Sequence, residues 1–229
     1  MSSPPVRVAV LDMAGTTLSD DGLVTAAARA AFDAVGIGPD HPDAGRHLAE
    51  FDRRMGQAKD AVFLDLLGDE ALVAPAMEAF EASYLEAVGD GAAQPLPGAD
   101  ETLRRLRDLG VRTCLTTGFP VAIQEALVER VGWADVVDLW LAPVEGLRGR
   151  PFPDLVLTAA VRLEADDVRE VAVVGDTTND LVAGTRAGAG VVAGVLSGAH
   201  GRAALEAAPH THVLDTVVEF ADVVAAGRS

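Results

Sequence analysis

The chain has 229 residues, 49% of them hydrophobic and 23% charged, and a formal net charge of −17. That length can bury a sizeable core, as one large domain or a domain with an insertion. The acidity argues against nucleic acid as a partner, because such binding needs clustered cations. No apolar run is long enough to span a bilayer. No signal-peptide pattern precedes Asp12, and the single cysteine, Cys114, excludes an internal disulfide, so a cytoplasmic location is expected.

The first predicted element is the apolar, β-branched run at 6–11, which reads as a buried strand of a parallel sheet. It runs into Asp12-Met13-Ala14-Gly15-Thr16-Thr17. A carboxylate at the carboxyl end of such a strand sits where open α/β sheets place their ligands. Gly15 allows a tight turn, and Thr16 and Thr17 offer hydroxyls to an oxyanion. From 18 to 94 the pattern is helical, with helices expected at 26–35, 44–55, 58–67 and 72–88. Pro75 is tolerated in the first turn of the last of these. A glycine- and proline-rich linker follows at 89–98.

From Ala99 strands and helices alternate. A helix holds Leu103, Leu106 and Leu109 on one face. Strands are expected at 111–117, 136–141, 171–175, 190–196 and 212–214. Helices are expected at 120–131, 154–163, 180–187 and 200–207, with a last one at the carboxyl end. The predicted fold class is α/β: a Rossmann-like parallel sheet core, helices on both faces, with an inserted α-helical cap. The core takes residues 1–17 and 95–229 and the cap residues 18–94.

Three later segments share the character of the first strand end. Thr116-Thr117-Gly118 closes one strand in hydroxyls. Gly149-Arg150-Pro151-Phe152-Pro153 sets a cation before a helix. Gly175-Asp176-Thr177-Thr178-Asn179-Asp180 closes another strand in two carboxylates. Brought to one pocket, they supply a nucleophilic carboxylate, groups for phosphate oxygens and acids for a metal. The overall negative charge repels an anionic substrate, so phosphate binding must rest on local cations and a metal. Taken alone, Asp176 and Asp180 also read as a turn and a helix cap, and Arg150 as a structural ion-pair partner.

The ordered set resembles the haloacid dehalogenase superfamily of phosphotransferases and hydrolases. The resemblance implies that Asp12 is a nucleophile forming an aspartyl-phosphate. It implies Mg²⁺ held by Asp12, Asp176 and the backbone carbonyl of Ala14, with Asp180 orienting the waters of the metal or pairing with Arg150. It also implies that Thr16, Thr117, the Gly118 amide and Arg150 hold the phosphoryl group of a small phosphate or phosphonate.

Position 14 divides the superfamily. Its phosphomonoesterases carry there an aspartate that protonates the departing alkoxide; this chain has Ala14. Met55-Gly56-Gln57-Ala58-Lys59, taken with the other motifs, resembles the phosphonatase branch, which hydrolyses phosphonoacetaldehyde to acetaldehyde and phosphate. Lys59, the chain's only lysine, would then form a Schiff base with the aldehyde, with Met55 and Gly56 beside the substrate. A helix starting near Gly56 aligns Lys59 with Phe63 and Leu67. That apolar edge and the positive helix end disfavour the ammonium, with like-charge pressure from Arg53 and Arg54. The alternative is a solvated lysine on a helix face.

The chain departs from that branch at three places: Val62 replaces a histidine, Phe119 a tyrosine and Met13 a tryptophan. His41, His47, His200, His210 and His212 match no motif and receive no role. Three readings follow. The first is a Mg²⁺-dependent C–P hydrolase, the second a phosphatase or phosphomutase of a small phosphomonoester, and the third a non-catalytic phosphate-binding module. A homodimer through the cap is implied by the resemblance alone.

Overall fold

A computed structural model describes residues 4–19 and 21–227. The expected boundaries of 1–17, 18–94 and 95–229 also take in residues 1–3, 20, 228 and 229, which lie outside the described residues. The chain begins with β1 (Val8–Asp12), all five residues buried. Four helices follow: α1 (Leu23–Ala34), α2 (Ala44–Arg53), α3 (Lys59–Leu67) and α4 (Glu70–Gly89). The alternating part comprises α5 (Ala99–Asp108), β2 (Arg112–Thr116), α6 (Val121–Arg130), β3 (Leu139–Leu141) and α7 (Asp154–Arg162). It continues through β4 (Val171–Gly175), α8 (Thr178–Ala187), β5 (Val191–Val195), α9 (Arg202–Ala207), β6 (His212–Leu214) and α10 (Val217–Ala226).

The six strands form one parallel sheet in the order β3-β2-β1-β4-β5-β6. Strand direction alternates side chains between the faces. Ala9 and Leu11 join one core with Leu103, Ile123 and Phe220, while Val8 and Val10 join the other with Leu155, Ala159 and Ala183. The order reverses between β1 and β4, which opens the crevice where α/β sheets bind ligands. In register there, Asp12 lies beside Thr116 and Leu11 beside Val174.

Helices α1–α4 pack around an aromatic cluster. Phe63 stacks edge-on to Phe32 (5.5 Å between centroids) and lies 5.3 Å from Phe51; Tyr84 reaches Phe119 at 4.7 Å. The last pair bridges α4 and the loop after β2. The segments leading into and out of these helices run side by side: Ser19 N–H donates to Gln94 O (2.8 Å) and Leu96 N–H to Thr17 O (2.9 Å). No described helix is long and apolar enough to cross a membrane.

Some boundaries differ from expectation for local reasons. The Asp69 side chain accepts the Ala71 N–H and starts α4 at Glu70, so Pro75 lies inside the helix and not in its first turn. The strand expected at 136–141 shrinks to β3, because Val136 and Val137 N–H both turn back to Trp133 O. Trp133 is buried there, donating to Asp100 at 2.6 Å. A 3-10 turn at Val168–Glu170, capped by Asp167, precedes β4.

Cys114 lies in the middle of β2, fully buried, and burial pushes its thiol well above the ordinary range. Iodoacetamide at pH 8 is therefore expected to label the native chain no faster than unfolding exposes it, and to add one equivalent promptly in urea. Prompt labelling without denaturant would contradict this packing.

Candidate active site

Asp12 sits buried at the tip of β1. Its backbone turns at once: the N–H groups of Thr17 and Leu18 both donate to Met13 O, at 2.9 and 2.8 Å. This turn carries the Thr16 hydroxyl back to the Asp12 carboxylate (3.3 Å) and the Thr17 hydroxyl to the Asp12 carbonyl (2.9 Å). Thr16 is fully buried and does not line the cavity described below, so its hydroxyl holds Asp12.

Arg150 reaches in from the loop before α7. One guanidinium nitrogen donates to Asp12 Oδ1 at 2.6 Å and to Asp180 Oδ1. Its buried Nε has no hydrogen-bond partner among the described residues. Asp180 is the third residue of α8 and also accepts from the Thr177 amide (3.1 Å) and hydroxyl (2.5 Å). It thus closes a capping box at the helix start and pairs with Arg150. The cap position itself belongs to Thr177.

Asp176, just past β4, accepts the Ala199 N–H at 2.6 Å. Asp12, Asp176 and Asp180 each offer one oxygen, all within 4.8 Å of one another. Burial raises Asp12 to about 6, with the Asp180 charge adding and Arg150 opposing. Burial also lifts Asp176 well above the usual carboxylate range, assisted by the charges of Asp12 and Asp180. Arg150 loses by burial but gains more from its two carboxylates, and is held above its ordinary value. Three buried carboxylates against one guanidinium leave negative charge uncompensated. The donors are hard oxygens with no histidine or thiolate among them, which suits Mg²⁺.

A cavity of about 390 Å³ opens over this cluster, lined by Asp12, Ala14, Arg150 and Asp176 from the sheet side. Thr117, Gly118 and Phe119 line it from the loop after β2, and Met55, Gly56 and Lys59 from the α2–α3 connection. The Thr117 hydroxyl accepts the Phe119 N–H (3.2 Å). The α2–α3 connection is clasped to the sheet loops. Lys59 N–H donates to Gly118 O (3.2 Å), and Asn179 Nδ2 to Met55 O (2.7 Å). A Cβ at Gly118 would collide with the Gln57 carbonyl, so only glycine permits this approach.

Lys59 is the first residue of α3, with 4% of its surface exposed. Its Nζ lies 5.1 Å from the centroid of Phe51 and 5.8 Å from that of Phe119. Arg53 and Arg54, expected to press on Lys59 with like charge, both have acidic partners. Arg53 pairs with Glu50, and Arg54 with Glu50 (3.3 Å) and Asp65 (2.9 Å), so both charges are balanced at the surface. Val62 and Met13 are buried and apolar where the resembled branch has polar groups.

The loop after β5, Ser197-Gly198-Ala199-His200, is not among the strand ends singled out from sequence. It contributes to the cavity wall, and its amide meets Asp176. The signal was available: it is another loop at the carboxyl end of a central strand, the place that singled out the other three. His200 Nδ1 accepts the Thr178 N–H at 3.0 Å, and burial lowers its imidazole below the ordinary value.

A family model described as haloacid dehalogenase-like hydrolase matches residues 6–188. A phosphonoacetaldehyde hydrolase from Bordetella avium is 33% identical over 134 residues, 58% of this chain and 47% of that protein. A protein named probable phosphatase IndB, from Dickeya dadantii, is 35% identical over 133 residues, 58% of this chain and 56% of its own length. The chain thus spans about half the length of these curated relatives. Among solved structures, a phosphonoacetaldehyde hydrolase-like protein from Oleispira antarctica superposes with a TM-score of 0.82 at 22% identity, covering 99% of this chain and 94% of that one.

The raised carboxylates give a pH prediction. With Asp12 near 6 in the folded chain and 3.8 unfolded, the metal-free fold binds the extra proton, and stability falls as pH rises through that window. A divalent cation replaces the proton. Mg²⁺ is expected to raise the melting temperature more at pH 7.5 than at pH 5, read by calorimetry against EDTA. An equal or larger rise at pH 5 would contradict the cluster as the cation site.

Proposed function

Because the chain belongs to the haloacid dehalogenase-like hydrolase family, we propose that it is a Mg²⁺-dependent phosphonatase acting on phosphonoacetaldehyde or a close aldehyde phosphonate. The observation that carries this reading is the meeting of two reactive groups in one cavity. Asp12 lies at its floor, and the buried Lys59 reaches it from the α2–α3 connection, which would act as part of a cap. Membership of a hydrolase family sets aside the non-catalytic binding module.

The chemistry follows from the residues. The Lys59 amine adds to the aldehyde carbon, and with uptake of one proton from solvent water leaves, giving a protonated imine next to the carbon that bears phosphorus. An Asp12 oxygen attacks phosphorus, and the C–P electron pair moves toward the iminium nitrogen, leaving an enamine and an aspartyl-phosphate. The enamine takes a proton at carbon, and hydrolysis of the resulting imine frees Lys59 and acetaldehyde. A second water attacks the aspartyl-phosphate, releasing phosphate and restoring Asp12. Because nitrogen takes the electrons, the leaving group needs no acid at position 14, and Ala14 suffices. Mg²⁺, held by Asp12, Asp176 and the Ala14 carbonyl with Asp180 behind them, would offset the repulsion between carboxylate and phosphoryl group. Arg150, Thr117 and the Gly118 amide would orient the phosphoryl oxygens.

A second reading, phosphatase action on a small phosphomonoester, is favoured by the apolar Val62 and Phe119 beside Lys59 and by the relative named a probable phosphatase. The two separate at Lys59. Under the first, borohydride with phosphonoacetaldehyde adds mass to Lys59, and Lys59→Arg lowers phosphate release from that substrate by roughly 10⁴-fold or more, as loss of one acting side chain does. No adduct together with no phosphate release would overturn it. Phosphomonoester turnover unchanged in Lys59→Arg would establish the second. Asp12→Asn is expected to lower turnover by roughly 10⁴-fold under either reading, and an active variant would remove Asp12 as the phosphoryl acceptor.

A further inference from the structure

The reaction above makes no use of the loop after β5, yet that loop grips Asp176 from several sides. The Ala199 N–H donates to Asp176 Oδ2 at 2.6 Å, and the His200 N–H to the Asp176 carbonyl at 3.3 Å. Gly198 packs so close that a Cβ there would collide with the Asp176 carboxylate. The Ser197 hydroxyl donates to Gly15 O at 2.7 Å, tying the same loop to the turn that follows Asp12.

The His200 side chain closes the arrangement. Thr178 is the first residue of α8, and its N–H is one of the four amides that a helix start leaves without an internal partner. His200 Nδ1 accepts it at 3.0 Å. One residue therefore holds the Asp176 carbonyl through its amide and Thr178 through its ring. Between those two points lies Thr177, which caps the helix that carries Asp180.

We propose that His200 is a positioning residue for the divalent-cation site, fixing the direction of the Asp176 carboxylate and the start of α8 without touching the ion. The inference rests on Asp12, Asp176 and the Ala14 carbonyl, with Asp180 behind them, being that site. Groups that hold metal ligands from outside typically contribute about 10- to 100-fold to metal affinity.

The test is calorimetric titration of Mg²⁺ into the unaltered protein, His200→Ala and His200→Asn, with melting in EDTA recorded for each. His200→Ala should weaken Mg²⁺ binding by roughly tenfold. His200→Asn, whose amide oxygen can accept the Thr178 N–H, should recover most of that affinity. The two variants should melt alike in EDTA, which separates ligand orientation from general stability. Unchanged Mg²⁺ affinity in His200→Ala, or no recovery in His200→Asn, would overturn the role of His200 alone. Absence of Mg²⁺ binding to the unaltered protein would overturn the cation site and this inference with it.

Discussion

One buried guanidinium stands against three buried carboxylates, and the rest of the site is arranged around that imbalance. Arg150 bonds to both Asp12 and Asp180, while Asp176 lies within reach of both and accepts the amide of Ala199. Removing one partner of such a buried pair leaves an uncompensated charge and costs several kcal/mol, roughly 3–5. The remaining negative charge is what a hard cation neutralises. A divalent cation would bring three carboxylates and one guanidinium into balance, so that an anion could approach this site in a chain of net charge −17.

The second constraint is backbone contact between the α2–α3 connection and the sheet loops. Lys59 N–H on Gly118 O and Asn179 on Met55 O join elements far apart in sequence, and Gly118 allows the approach. These contacts bring the start of α3 to the cavity wall, so that Lys59 lines the same cavity as Asp12. The aromatic cluster of α1–α4 supports that placement from behind, with Phe51 and Phe119 flanking the Lys59 nitrogen. The proposed reaction, which draws electrons away from carbon, would use one side of the cavity for phosphorus and the other for the carbon fragment.

Much of this was legible because strand ends at the carboxyl edge of a parallel sheet carry chemistry in compact motifs. Asp12, Thr117, Arg150, Asp176 and Asp180 could be read from such motifs, and all line the cavity or bond to one another. What was not legible depends on tertiary geometry. The Thr16 hydroxyl turns inward to Asp12 because the Met13 turn aims it there. Arg53 and Arg54 both reach Glu50 at helical spacing, but the Asp65 that Arg54 also finds comes from the next helix and depends on how α2 and α3 pack. The loop at 197–200 acts mainly through backbone amides, which every residue carries, so its sequence advertised little. The lateral strand order and the placing of Pro75 as the sixth residue of α4 likewise rest on a crossover and on an upstream cap at Asp69.

The central claim is that one substrate spans Asp12 and Lys59. It is tested most directly by a crystal structure of the Asp12→Asn variant reduced with borohydride in the presence of phosphonoacetaldehyde. The account predicts a phosphonoethyl group on Lys59 Nζ, with phosphorus within about 3.5 Å of the side-chain oxygen at position 12 and its oxygens facing Arg150 and Thr117. A phosphono group directed away from that floor, or an unmodified Lys59, would contradict it.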